Sequence, residues 1–230
     1  MPLTAPLSQA AERIRRTVPD FLGRLAALYA DMDRCYADVA ARYGLNCRGC
    51  TQSCCLTLFY HHTLLEFTAL WEAVRRIDAE ARSTIRNRAA AYRLALEASA
   101  GQAAPFRHPC PLEHDGRCRL YAQRPMICRL HGVPHILHHP VKGAITGPGC
   151  HACQISPAEA SPLERTSLYA ALAGLERSAR AAVGFIQPLR LTIADMIIAI
   201  PPPGEADSDN LGKAQGTSVS AALQTTRGTE

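Results

Sequence analysis

The chain has 230 residues and a mass of 24.9 kDa, enough for one domain with a sizeable core. Hydrophobic residues make up 47%, as in globular proteins, and 25 basic residues interleave with 20 acidic ones to give a net charge of +5 with no basic patch, a weak case for nucleic acid. No apolar run approaches the roughly 18 residues of a membrane span, and the opening MPLTAPLSQAAERIRR lacks the apolar stretch of a signal peptide, so the expectation is a cytoplasmic protein off the membrane.

Ile14, Val18, Phe21, Leu25, Leu28, Met32, Cys35, Val39 and Tyr43 recur in steps of three and four, which predicts a long amphipathic helix bent near Pro19. Cys35 lies on that pattern and reads as a packing residue. Gly44 suits the left-handed conformation that closes a helix. Residues 1–43 thus form a helical segment that delivers the chain to Cys47.

Cys47, Cys50, Cys54 and Cys55 form a CxxCxxxCC run. A CxxC step lets two sulfurs from one turn reach the same ion, and thiolates are soft ligands suited to zinc or iron–sulfur clusters. In a reducing cytoplasm disulfides rarely persist, which leaves metal as the reason for so many thiols. Neighbouring side chains on extended backbone point apart, so Cys54 and Cys55 are suited to serving two sites.

Thr63-Leu64-Leu65-Glu66 has the form of a capping box ahead of an apolar face made by Phe67, Leu70, Trp71, Val74 and Ile77. His61 and His62 just before it suit polar roles at the helix start. The alanine-rich stretch from Glu80 to Ser99 has high helix propensity and no breaker, and is expected to pair with its predecessor as a helical hairpin over residues 63–99.

From Gly101 to Ser156 prolines, glycines and histidines punctuate the chain, predicting loops with one helical turn around Leu120 to Arg124 and a short hairpin through Val133 to Ile145. Cys110, Cys118, Cys128, Cys150 and Cys153 fall here, bringing the thiols in the two groups to nine, enough for two four-thiolate sites. His108, His114, His131, His135, His138, His139 and His151 lie among them; imidazole from His131 or His151 would complete a three-cysteine zinc site. Arg48, Arg117, Arg119, Arg124 and Arg129 crowd the thiols. Guanidinium groups offset the negative charge of a four-thiolate centre and tune its potential, a role assigned to Arg124 and Arg129, with Arg48 and Arg117 as surface residues and Tyr121 as core.

Ser161 to Val183 returns to a helical pattern with Leu168, Leu172, Leu175 and Ala179 on one face, and Leu191 to Ile200 adds a short apolar segment stopped by Pro201-Pro202-Pro203. Residues 157–200 are expected to pack on the same domain. Beyond Gly204 large apolar residues are almost absent, so residues 201–230 read as a disordered tail.

The blocks Cys47-Arg48-Gly49-Cys50-Thr51-Gln52-Ser53-Cys54-Cys55, Cys110-Pro111-Leu112 and Cys118-Arg119-Leu120-Tyr121-Ala122-Gln123-Arg124-Pro125-Met126-Ile127-Cys128-Arg129 occur in order. In them the chain resembles the YkgJ-like cysteine cluster family, a zinc- or iron-chelating domain, over about residues 44 to 153. The family pattern ends on a Cys near Pro-Gly, which here would be Cys150 after Gly147-Pro148-Gly149. The first motif is one residue longer than the tight form, and Cys153 is an addition. The resemblance implies a metal-binding domain and identifies no reaction.

The sequence therefore predicts a mainly α-helical fold whose helices frame a loop-rich, cysteine-ligated metal region at 44–156. The metal ligands are assigned as Cys47, Cys50, Cys54, Cys55, Cys110, Cys118, Cys128, Cys150 and Cys153; spacing leaves open which of Cys150, Cys153, His131 and His151 take part. The cofactor is an iron–sulfur cluster of the 4Fe-4S kind or zinc, the irregular spacing favouring the cluster. A protein partner is expected, with an electron-transfer, redox-sensing or accessory role. The alternatives are a zinc-stabilised interaction module, or a metal- or cysteine-dependent modification enzyme. For enzymatic chemistry the signals are few: no phosphate-binding glycine loop, nucleophile elbow or HExxH is present, nor the CxxxCxxC of radical SAM enzymes.

Overall fold

A computed structural model describes residues 4–45, 54–150 and 161–201. Cys47, Cys50, Cys153, Arg48, His151 and the tail from Pro202 lie outside them. The order is α1 (Thr4–Thr17), α2 (Asp20–Arg42), α3 (Leu64–Arg76), α4 (Ala79–Ala98), β1 (Glu113–His114), β2 (Arg117–Cys118), α5 (Met126–Arg129), β3 (His135–His139), β4 (Gly143–Gly147), β5 (Leu163–Glu164), α6 (Thr166–Val183) and α7 (Ile193–Ala199). The fold is mainly α, as the periodicity predicts. Short 3₁₀ turns occupy Cys54–Leu56 and Tyr121–Gln123.

The single long N-terminal helix is in fact two helices. Pro19 has no N–H to donate and restricts Val18 before it, so α1 stops at Thr17 and α2 restarts with Pro19 as its N-cap. The apolar stripes of α1 and α2 face one core: Leu7, Ile14, Leu25 and Met32 are fully buried beside Phe67, Leu70 and Trp71 of α3 and Met196 and Ile197 of α7. Cys35 does not share it. The buried stripe of α2 runs through Leu28, Tyr29, Met32 and Val39, and Cys35 sits at its margin, where the residue is exposed. Gly44 adopts φ +59° and closes α2 as expected.

α4 takes its main partner from the far end of the chain, α7, and not from α3. Its buried face is narrow, Ala81, Ile85, Ala89 and Tyr92, and polar ties reinforce it. Arg93 pairs with Asp195 at 2.5 Å, and Arg86 donates to the carbonyl of Ile200. Thr192 and Asp195 form a reciprocal capping box that starts α7.

β1 and β2 make a two-residue hairpin on Asp115 (φ 50°) and Gly116 (φ 75°), both left-handed as a tight turn of this kind requires. β3 pairs antiparallel with β4 over His135–His139 and parallel with β5, so this small sheet ties the cysteine region to the start of α6.

Candidate metal centre

The site is built from four pieces: the 3₁₀ turn with Cys54 and Cys55, the segment carrying Cys110, the β2 strand with Cys118, and the single turn α5 with Cys128. The N–H of Cys110 donates to the carbonyl of Cys55 at 2.7 Å, which joins the first two. In the β1–β2 register Cys118 lies opposite Glu113, whose N–H donates to the Cys110 carbonyl at 2.9 Å. The hairpin thereby returns Cys118 towards Cys110.

Cys54, Cys110 and Cys118 each lie within electrostatic reach of Cys55 and of Cys128. Cys128 is raised well above the ordinary thiol value by burial and then by Cys54, Cys110 and Cys118. Burial pushes Cys110 up to about 12, with Cys118 and Cys54 adding to it, and Cys118 rises for the same reasons. Cys54 and Cys55 share a hydrogen bond that splits them: Cys54 falls to about 6 and Cys55 rises. The N–H of Leu112 and that of Leu120 are directed at the sulfurs of Cys110 and Cys118, each from two residues downstream, favouring the thiolate forms.

Polar braces hold the pieces from the helices around them. Glu66 of α3 is buried and its Oε1 accepts the N–H of Met126 at 2.6 Å, at the start of α5. Thr63 caps α3 by accepting from the Glu66 N–H at 3.4 Å, but the reciprocal half of the box is missing, because the carboxylate turns to Met126 and to the Thr63 and Tyr29 hydroxyls. The Leu64 and Leu65 N–H groups at the same helix end donate to Glu176 of α6, at 2.6 and 3.0 Å. Arg88 of α4 donates to the carbonyls of Cys110 and Glu113 and pairs with the Glu113 carboxylate at 3.1 Å.

Arg129 is buried, its guanidinium over the Tyr29 ring at 4.0 Å. Its donors go to the carbonyls of Arg124 (2.8 Å) and Ala122 and to Asp33 of α2 (2.5 Å), so it fixes the Tyr121–Cys128 loop from within. Arg124 is the more direct of the two arginines: its charge lowers both Cys54 and Cys118, while its guanidinium stacks on Tyr121 at 3.5 Å. Tyr121 is not core. It is 59% exposed, because the 3₁₀ turn presents it outward to cover Arg124.

Cys150 is tied to the same region by its N–H, which donates to Gly132 at 2.8 Å. Arg117 and Arg119 are exposed, and His114 pairs with Asp115 at 2.9 Å. His131 lies edge-on to Phe59, with ring centroids 5.2 Å apart. His61 has no helix-start role: it is buried in a backbone bridge with Leu191, which with the neighbouring His62 lowers it to about 4. Among the described residues no three Cys, His, Asp or Glu side chains are grouped to hold an ion unaided, and Cys47 and Cys50 lie outside those residues.

Residues 46–142 match the family model CxxCxxCC, described as "Putative zinc- or iron-chelating domain". Over this stretch the chain is similar to that family. The match supports metal binding and spans every thiol from Cys47 to Cys128, while Cys150 and Cys153 lie beyond its end. No curated protein and no solved structure matches the chain. The donors of this stretch fit a zinc or iron centre in kind: several cysteine sulfurs in one region, backbone N–H groups aimed at two of them, and guanidinium charge alongside.

Proposed function

We propose that the cysteine-rich stretch holds an iron–sulfur cluster and works in electron transfer, redox sensing or an accessory step with a protein partner. The observation that carries this reading is that Cys54, Cys110 and Cys118 act electrostatically on both Cys55 and Cys128, which puts five thiols in one region where one tetrahedral zinc takes four. Their irregular spacing suits a polynuclear group, whose several irons spread the ligands over a wider object. When bound, such a group supplies reversible one-electron chemistry. Leu112 and Leu120 direct N–H groups at its ligands, and Arg124 contributes positive charge, both of which raise a reduction potential.

The test is quantification of iron, sulfide and zinc in protein purified without oxygen, together with its visible absorption. The expected result is stoichiometric iron and sulfide with a charge-transfer band. A colourless protein with stoichiometric zinc and no sulfide, even after cluster reconstitution, would overturn the cluster and leave a zinc-stabilised interaction module.

A further inference from the structure

Arg165, the N-cap residue of α6, is only 4% exposed. Its Nη2 donates to the Leu130 carbonyl and Tyr169 shares a side-chain hydrogen bond with it, but its Nε is buried with no partner. Among the described residues no carboxylate forms an ion pair with it. This contrasts with Arg129, which has Asp33. A buried guanidinium without a counter-charge is costly, and the deficit is removed when an anion binds beside it.

Arg165 lines a cavity of about 340 Å³. His135 lines it too, and its Nδ1 is a second buried atom without a hydrogen-bond partner. The His135 ring lies against Gly147, its cross-strand neighbour, where a Cβ would meet the ring at 2.2 Å. Gly149 packs as closely on the Gly132–Pro134 backbone, at 2.6–2.8 Å from a would-be Cβ. Glycine at both positions leaves the floor of the cavity as bare backbone. Phe59, Val133, Leu137 and Ile145 give the rest of the wall a mostly apolar face, with His131 and Tyr169 as its further polar members.

We propose that this cavity binds a small organic monocarboxylate, its carboxylate at Arg165 and its apolar body along Leu137 and Ile145. One fixed positive charge, which no carboxylate among the described residues offsets, balances one negative charge. Burial and the Arg165 charge both lower His135, which disfavours a second positive charge in the cavity; inorganic phosphate, which carries more than one negative charge near neutral pH, is the poorer match. The volume falls at the lower end of the roughly 300–1,000 Å³ of small-molecule pockets. Arg165 is not among the assigned metal ligands, but the cavity also includes His131 and runs beside Cys128 and Cys150 through Ile127 and Gly149, so metal content must be followed alongside binding.

The experiment is calorimetric titration of the full, metal-containing chain with benzoate, 3-methylbutanoate, benzamide and inorganic phosphate, with metal content measured on every sample. Saturable one-to-one binding of at least one carboxylate, with benzamide and phosphate at least tenfold weaker, is expected. Arg165→Gln should weaken carboxylate binding at least tenfold with metal content unchanged. Should that variant fail to fold, Ile145→Trp, at an exposed position on the cavity wall, should obstruct binding on an intact fold. Absence of binding by both carboxylates, equal binding of benzamide, tighter binding of phosphate, or carboxylate affinity unchanged in Ile145→Trp would each overturn the proposal.

Discussion

Glu66 on α3 and Met126 on α5 are joined by a 2.6 Å hydrogen bond from backbone N–H to carboxylate across sixty residues of sequence. Met126 is two residues before Cys128, so the bond sets where that sulfur enters the site. The same carboxylate receives the Thr63 and Tyr29 hydroxyls, and Tyr29 in turn carries the Arg129 guanidinium on its ring. A buried chain of contacts thus connects the helical core to the loop that bears Cys118 and Cys128.

Glu66→Gln separates the carboxylate's charge from its role as an acceptor. Glutamine keeps an oxygen for the Met126 N–H, and its amide nitrogen can face Thr63, whose hydroxyl also accepts. Burial, the largest influence, raises the Glu66 carboxyl above its ordinary value. A group raised on folding gives stability that is complete below its ordinary pKa and is lost as pH rises through the folded value. Thermal melts from about pH 4 to 8 should therefore show wild type losing ground to Glu66→Gln as pH increases. A difference between the two that is constant across the range would refute the assignment. Glu66→Ala, which leaves the Met126 N–H unpaired, should be less stable than Glu66→Gln by about 1–3 kcal/mol at every pH.

Arg129→Lys tests the brace without removing its charge. A single ammonium cannot reach the Arg124 and Ala122 carbonyls, Asp33 and the Tyr29 face together, as the planar guanidinium does. The expected loss is about 2–3 kcal/mol, a fall in Tm of roughly 4–12 °C for a domain of this size. Lower metal occupancy should accompany it. An unchanged Tm with full occupancy would show that the loop holds its shape without Arg129.

Most helices were legible because each rests on local periodicity, and Pro19 and Gly44 marked breaks that the backbone obeys. The Asp115-Gly116 turn was a readable hairpin signal that the density of loop residues concealed, and Asp78 and Thr192 were readable caps. What sequence did not show is long-range. Thr63-Leu64-Leu65-Glu66 looks like a self-contained box, yet Glu66 serves Met126 and Glu176 serves α3 from another helix. The exposed Cys35 and Tyr121 show the same limit: a residue at the margin of an apolar stripe, or on a one-turn helix, has its exposure decided by neighbours distant in sequence.

Serine substitutions separate ligands from bystanders. Cys54→Ser, Cys110→Ser, Cys118→Ser and Cys128→Ser should each reduce bound metal per chain, measured on folded protein by elemental analysis. Cys35→Ser, on the exposed face of α2, should bind as wild type does. Full occupancy in the Cys110 and Cys128 variants alongside loss in Cys35→Ser would relocate the centre.

Metal uptake should release protons, in a number the thiol environments set. Cys110 at about 12, with Cys118 and Cys128 also raised, are neutral thiols near neutral pH, whereas Cys54 at about 6 is already a thiolate. Ligation requires the deprotonated form, so loading through these four sulfurs should release roughly three protons, and affinity should rise with pH. Titrating metal-free protein with zinc in a weakly buffered indicator solution counts them directly, whichever metal the protein carries in the cell. Cys54→Ser removes a sulfur that has no proton to give and should leave the released number close to wild type in whatever fraction still binds. Cys110→Ser should lower it by about one. Release of fewer than one proton per metal would mean that these thiols are not the ligands, or that they are already ionised before the metal arrives.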